Sequence, residues 1–257
     1  ITVGANIVKE GRAGAFISAG SSGAVLAAGQ LIVGRLPGVK RPPLASMIPT
    51  AKGFSLFLDL GANVDAKAEW LCQFARMGSI YMEKVQHKER PSVKLVNLGV
   101  EEEKGNALTK EANTMLSQIS EINYEGFIES RDVIMGEADV IVADAFTGNA
   151  ILKTMEGTLG FVMQVLKSVL KSSMFTKLAA IMIMKPLKLK LKEFSASEQG
   201  GAMLLGLNGL VMKCHGNASR KDIANGILKS AGFIREDVCG LIREAFAKEN
   251  SQNNTVE

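Results

Sequence analysis

The stretch Ala138-Asp139-Val140-Ile141-Val142-Ala143-Asp144-Ala145-Phe146-Thr147-Gly148-Asn149 decides the fold. Its run Asp139–Ala143 is short and almost continuously apolar, which reads as a strand buried on both faces. A polar turn containing glycine follows, and helix-period sequence runs from Asn149 to Leu170. The same order repeats along the chain. Candidate strands are Ala15–Ser18, Leu44–Ile48, Ser55–Leu60, Val93–Leu98 and Tyr124–Ile128, with helices expected at Ser22–Gly34, Ala66–Val85 and Asn106–Ile119. Such alternation predicts a three-layer αβα domain around a mostly parallel sheet. Two late strands, Leu204–Leu207 and Leu210–Lys213, and one or two closing helices over Ser219–Ala247, broken at Gly232, complete it. The reading gives a single α/β catalytic domain over 1–249 and a polar tail over 250–257 that frays.

Gly157–Lys192 departs from this pattern. It holds seven lysines and no acidic residue, more positive charge than the +4 of the whole chain, so the remainder is net acidic. Lysines beside Leu, Ile, Met and Phe suit an anionic membrane surface or an acidic protein. Residues 165–194 therefore read as an amphipathic insertion. Phe175, Leu178, Ala179, Ile181 and Met182 are expected to form an apolar edge, with Lys171, Lys177 and Lys185 around it. A dimer core with outward lysines is the competing reading. Pro186 is expected to break or kink a helix, and the period-two run Leu187–Lys192 leaves helix open there.

Composition narrows the function. Three isolated cysteines indicate neither disulfides nor a zinc site and fit a reducing cytoplasm. With aromatics at 5%, nucleic-acid binding by stacking has little support. No apolar run reaches spanning length, so a cytoplasmic, peripherally membrane-associated protein is expected. Ile1 in place of Met predicts a fragment lacking its N-terminus. Neither a cofactor nor a metal is called for, because no ligand spacing and no Gly-x-Gly-x-x-Gly after a strand is present.

Ligands in α/β folds bind beyond the carboxyl ends of parallel strands, so the post-strand loops carry the candidates. Ser21, Ser22 and Gly23 open a helix and read either as a phosphate cradle or as an N-cap. Asn63 and Asp65 follow the third strand, as donor and polar loop residue or as caps. Lys104, before Gly105 and Asn106, can hold an oxyanion as a point charge or be plain surface. Asp144, Thr147, Gly148 and Asn149 open the next helix, where Asn149 reads as an oxyanion donor or a member of a capping turn. His215, before Gly216-Asn217, reads as an acid–base or anion-binding group, or as structural. Together these loops suit phosphate and a carbonyl.

At these same loops the chain resembles the PlsX family, the acyl-ACP:phosphate acyltransferases of bacterial phospholipid synthesis. The matching blocks are Ser18–Ala24, Gly34-Arg35 with Pro37-Gly38 and Arg41-Pro42, Leu58–Asp65, Met77–Tyr81, Asn97–Asn106, Ala138–Asn149, Leu152–Gly157 and Lys213–Asn217. The family has Asn at the place of Ser21 and Gly at that of Ala145. Its opening strand, with an Asp-Ala-Met-Gly-Gly-Asp motif, would precede Ile1. The resemblance implies a fold shared with phosphate acetyltransferases and isocitrate-type dehydrogenases, a homodimer, and transfer of an acyl group from acyl carrier protein to inorganic phosphate. On this reading Lys104 and Asn149 carry the chemistry, with His215 as anion donor or proton source. Ser21, Ser22, Gly23, Asn63, Asp65, Asn106, Asp144, Thr147 and Gly148 bind substrate and phosphate. A coenzyme A-dependent phosphate acetyl- or butyryltransferase and a non-catalytic membrane-surface scaffold are the alternatives.

Overall fold

A computed structural model describes residues 1–193 and 200–253, with the side chains of 178, 188–193 and 248–253 outside the described set. In chain order the elements are α1 (Thr2–Lys9), β1 (Ala15–Ser18), α2 (Ser22–Ala28), β2 (Leu44–Thr50), β3 (Gly53–Leu58), α3 (Ala68–Lys84), β4 (Ser92–Asn97), α4 (Ala107–Leu116), β5 (Asn123–Glu129) and β6 (Val140–Val142). Then come α5 (Ala145–Lys171), α6 (Met174–Glu193), β7 (Ala202–Leu204), β8 (Leu210–Lys213), α7 (Arg220–Arg235) and α8 (Val238–Asn253). The strands form one eight-stranded sheet in the order β1-β8-β7-β2-β3-β6-β4-β5.

The sheet is mixed and mostly parallel. β1 pairs in parallel with β8, as do β3 with β6, β6 with β4 and β4 with β5, while β8–β7, β7–β2 and β2–β3 are antiparallel. β1, β8 and β2 therefore point one way, and β7, β3, β6, β4 and β5 the other.

The apolar strand runs divide between the two faces because successive side chains alternate. Leu56, Leu58, Leu95, Val140 and Val142 pack against Leu71, Phe74 and Met77 of α3, and the same cluster takes in Phe233 of α7 and Phe246 of α8. Phe57, Val96 and Ile141 face the other way, towards Ala5 and Val8 of α1, Val25 of α2, and Ile151, Leu152 and Met155 of α5. Helices thus cover both faces, giving the three layers expected from the sequence.

Several boundaries differ from the sequence reading. β2 and β3 form an antiparallel hairpin turning at Ala51-Lys52. α2 passes into a π-helical segment, Gly29–Val33, before Gly34 stops it. The first late strand is Ala202–Leu204 rather than Leu204–Leu207. The closing helices part after Arg235, not at Gly232, and Asp237 takes positive φ at the join. α6 continues through Pro186 to Glu193, so the proline does not end it. The tail expected to fray from 250 is helical to Asn253, and 254–257 lie outside the described residues. No described helix is long and apolar enough to cross a membrane.

Candidate active site

β3, β6 and β4 are neighbours with a common direction, so the loops after them leave one edge of the sheet side by side. Asp59, fully buried just past β3, organises the first loop. Its Oδ1 accepts from the backbone N–H groups of Leu44 (2.9 Å), Gly61 (3.1 Å) and Ala62 (2.9 Å), and its Oδ2 from the Asn63 N–H (2.8 Å) and Asn63 Nδ2 (2.7 Å). Burial raises the Asp59 pKa, against the opposing pull of the hydrogen bonds from Ala62, Leu44, Asn63 and Gly61. Asn63 Nδ2 also donates to the Pro42 carbonyl (3.0 Å), so this buried amide is committed to the protein. That corrects the reading of Asn63 as an amide donor to substrate: the side chain shapes the loop. Asp65 is exposed on the same loop.

The loop after β4 is held by a residue that sequence reasoning passed over. Asn97, buried at the strand's end, donates through Nδ2 to the carbonyls of Gly99 and Lys104 (both 3.1 Å), while its Oδ1 accepts from Thr109 Oγ1 (3.1 Å). Its signal was an amide side chain closing an apolar run before a glycine. Gly105, at φ +100°, passes so close that a Cβ would lie 2.1 Å from Asn97 Oδ1. Lys104 stands exposed, its Nζ 2.7 Å from Glu101 Oε1. That hydrogen bond raises the Lys104 pKa, opposed by desolvation and reinforced by the charges of Glu101, Glu129 and Glu103. Asn106 caps α4, its Oδ1 accepting from the Thr109 N–H at 2.9 Å.

After β6, Asp144 caps α5, accepting from the Thr147 N–H (2.9 Å) and Thr147 Oγ1 (2.7 Å). The Ala145 N–H donates to the Asn63 carbonyl (3.1 Å), tying the helix start to the β3 loop. Gly148 allows close contact: a Cβ there would lie 2.0 Å from the Asp59 carbonyl oxygen. Asn149 is exposed on this first turn, with no side-chain hydrogen bond among the described residues. Lys104 and Asn149 therefore stand at the ends of adjacent strands. Exposed apolar side chains share this edge, with Leu98 at 80% and Phe146 at 70% exposure, beside Val64 and Val100. The sequence reading assigned them nothing, although Phe146 opening a helix next to Thr-Gly-Asn was a visible signal.

The remaining candidates lie elsewhere. Ser21, Ser22 and Gly23 are exposed after β1, and His215 after β8, at the opposite edge because those strands point the other way. The expectation that all these loops converge at one sheet edge is corrected on this ground. α5 links the two edges: it starts beside Lys104's loop and runs back over the sheet, where Glu156 Oε1 lies 3.8 Å from His215 Nε2. Farther on, the helix is largely exposed, and it packs against α6 as a hairpin. Phe175, Ile181 and Met182 are exposed at 85%, 74% and 80%, and Lys177, Ala179 and Lys185 are exposed with them. The side chain of Leu178 lies outside the described residues. No cluster of metal-ligating side chains occurs among the described residues.

Residues 1–241 match the family model described as fatty acid synthesis protein. The chain is 47% identical over 247 residues to a phosphate acyltransferase of Geobacillus sp. (strain WCH70), covering 95% of this chain and 74% of that protein. It is also 47% identical over 249 residues to one of Bacillus pumilus (strain SAFR-032), covering 96% and 74%. Among solved structures, the EutD phosphotransacetylase from Staphylococcus aureus superposes with a TM-score of 0.60 at 17% identity, over 91% of this chain and 67% of that one. A branched-chain phosphotransacylase from Enterococcus faecalis V583 gives 0.53 at 13%, over 90% and 76%. At such identities these structures speak to the three-layer fold alone.

Proposed function

The chain belongs to the fatty acid synthesis protein family, among phosphate acyltransferases, and from that membership we propose that it transfers the acyl group of acyl carrier protein to orthophosphate at the edge formed by β3, β6 and β4. A phosphate oxygen attacks the thioester carbonyl carbon, the carbonyl oxygen takes the negative charge, and collapse expels the carrier thiolate, which takes up a proton. The products are acyl phosphate and free carrier protein. Phosphate is anionic at neutral pH, so the protein need not supply a strong base. Its task is to hold the phosphate anion against the thioester carbonyl and stabilise the tetrahedral oxyanion. Lys104 supplies fixed positive charge, and Asn149 supplies an amide N–H.

The observation that carries this reading is the pairing of an exposed lysine and an unengaged exposed amide on adjacent strand ends, edged by Leu98 and Phe146. Those apolar side chains suit a long acyl chain better than acetyl. Asp144, Thr147, Asn106 and Gly148 keep the helix starts in place, and Asp65 lines the edge. Incubation with palmitoyl carrier protein and labelled phosphate tests the reaction. Lys104→Ala and Asn149→Ala should each lower kcat by about 10²–10³, the worth of one oxyanion donor. Near-normal turnover of folded Lys104→Ala protein rejects the assignment.

The α5–α6 hairpin supports a second part of the reading. Leu159, Phe161, Val162, Val165 and Val169 of α5 are exposed apolar groups available to a second copy of the chain, forming a homodimer. Phe175, Ile181 and Met182, with Lys177 and Lys185, suit an anionic membrane surface, holding a cytoplasmic enzyme peripherally where its amphiphilic product is consumed. Two copies strengthen such attachment by avidity. Flotation with anionic vesicles should be lost in Ile181→Glu/Met182→Glu; unchanged flotation discards the membrane role.

A further inference from the structure

A loop at the edge formed by β3, β6 and β4 carries positive charge that the transfer chemistry leaves unused. Gly11–Leu58 contains no acidic residue, and within it residues 34–43 lead from the π-helical segment into β2. β2 runs antiparallel to β3, so it begins where β3 ends: the Leu60 N–H donates to the Leu44 carbonyl at 2.9 Å. Arg35, Lys40 and Arg41 are exposed on this loop. None of the three is ion-paired among the described residues, whereas Lys104 and Arg131 at the same edge are held by carboxylates. The partners of the two arginines are neutral. Arg41 lies over the Trp70 ring, its Cζ 5.2 Å from the centroid, and its Nη1 donates to Gln30 Oε1 at 3.3 Å. Arg35 Nη1 donates to the Lys40 carbonyl, which places this guanidinium at the peptide joining Lys40 and Arg41. Lys67, farther along the edge, stands between exposed Asp65 and Glu69 and is no part of the cluster.

The backbone beneath these cations is fixed. Gln73 of α3 accepts from the Lys40 N–H at 2.8 Å and donates to the Gly38 carbonyl at 2.9 Å. Asn208 Nδ2 donates to the Arg35 carbonyl at 3.0 Å, and the Leu36 N–H to the Gly206 carbonyl at 2.9 Å. A guanidinium already held between an amide and an indole loses little freedom when it meets an anion. Like charges gathered on one rigid loop repel each other, and an acidic partner removes that repulsion.

We propose that Arg35, Lys40 and Arg41 form the surface on which an acidic carrier protein docks, outside the pocket where the acyl group is transferred. The inference rests on the acyl-transfer reading and assigns its protein substrate a place on the molecule. In the sheet order, β6 lies two strands from β2 and β4 three, which is roughly 10–14 Å. The extended phosphopantetheine arm of a carrier is longer than that, so a carrier held here reaches Lys104 and Asn149 with its thioester while its body stays outside. The two places are rigidly connected, because Asn63 donates to the Pro42 carbonyl at 3.0 Å and accepts from the Ala145 N–H at 3.1 Å. An anionic membrane is the less suited occupant, since the exposed apolar side chains that favour one lie on the α5–α6 hairpin.

The test uses the whole protein, wild type and the charge reversals Lys40→Glu and Arg41→Glu. Binding of unacylated carrier is followed by calorimetry, and turnover is measured with palmitoyl carrier and with an acyl thioester of free pantetheine. Each variant should bind carrier about tenfold more weakly, with a matching rise in KM for palmitoyl carrier. Salt should weaken carrier binding less in the variants than in wild type, and kcat/KM for the free thioester should not change. Unchanged carrier binding in folded variants overturns the surface. Equal loss of turnover with both thioesters also overturns it, by showing that the loop acts on the pocket itself. Loss of flotation with anionic vesicles while carrier binding holds assigns the cations to a membrane and overturns it as well. The Lys40 side chain has no hydrogen bond or ion pair among the described residues, so Lys40→Glu keeps the test open should Arg41→Glu fold poorly. Carrier binding is read without turnover: a wild type that binds carrier through these residues yet makes no acyl phosphate overturns the reaction and leaves the docking surface standing.

Discussion

Gly148→Ala tests how the fold positions the chemistry. The added Cβ would sit 2.0 Å from the Asp59 carbonyl oxygen and 3.1 Å from its carbon. A close carbon–oxygen contact is about 3.3 Å, so the two backbones must separate by roughly 1.3 Å. Asp59 cannot yield easily: its N–H donates to the Ala143 carbonyl at 2.9 Å, and its carboxylate gathers the hydrogen bonds of the 59–63 loop. The start of α5 must therefore lift, weakening the Ala145-to-Asn63 backbone bond and carrying Asn149 with it. Strain of this kind costs about 1–3 kcal/mol of stability, and misplacing a reacting group by about 1 Å costs about 10²-fold in rate. Gly157→Ala is the control: the same helix, nothing within 4 Å of its Cβ, and an expected gain of about 0.5–1 kcal/mol from helix propensity. Urea unfolding reads stability, and release of carrier thiol in the presence of phosphate reads turnover. Wild-type turnover and an unshifted midpoint in Gly148→Ala would refute the idea that contact with the β3 end fixes Asn149.

Other outcomes are specific to single residues. The Lys104 pKa is raised, so its ammonium persists until the pH exceeds the ordinary lysine value of about 10.4. Turnover should therefore rise as phosphate loses its second proton and show no lysine-dependent fall below that range. Asp59→Asn replaces an acceptor-only group by one that carries its own donors, leaving buried N–H groups unpaired. At 1–3 kcal/mol for each unsatisfied group, about 3 kcal/mol or more of stability should be lost in urea. Phe146→Ala, exposed beside Asn149, should leave the fold unchanged yet raise KM for palmitoyl carrier severalfold more than for a short acyl chain. Cys239 is pushed up to about 11, mainly by burial, so its thiolate forms only as pH climbs towards that value. With Cys72 and Cys214 buried, alkylation at pH 8 should be slow in native protein and fast after unfolding.

Strands were legible where both faces are buried. Val140-Ile141-Val142 and Leu56-Phe57-Leu58 are continuous apolar runs because alternate side chains enter different helix layers. The start of α4 was legible at Asn106, which caps it, whereas α5 begins at Ala145, capped by Asp144, four residues before the expected Asn149. Strand direction was not legible. Nothing local in Leu44–Thr50 and Gly53–Leu58 distinguishes an antiparallel hairpin from successive parallel strands, yet that hairpin reverses half the sheet. The assumption that every strand end faces one pocket therefore placed His215 and Ser21 with Lys104. Pro186 misled for another reason: its helix has little packed on it, so local rules alone were weighed where helix continuation prevailed. Asn63 was read by type as a donor, and only the surrounding carbonyl and carboxylate reveal where its N–H groups go.

The ammonium proposed to hold phosphate sits among carboxylates. Lys104 is paired with Glu101, with Glu103 and Glu129 contributing at longer range. Both members of the pair are about half exposed, and exposed ion pairs contribute little because water and salt screen them. Glu101 is therefore a weak competitor, easily displaced by a multiply charged anion that accepts several hydrogen bonds at once. Until then it keeps Lys104 protonated and close to its strand end. The loop backbone does not move with it, since Asn97 holds the Gly99 and Lys104 carbonyls from below. On the proposed assignment, exchange of Glu101 for phosphate on this loop would proceed by side-chain rotation, with Asn149 held on a helix clamped at Gly148.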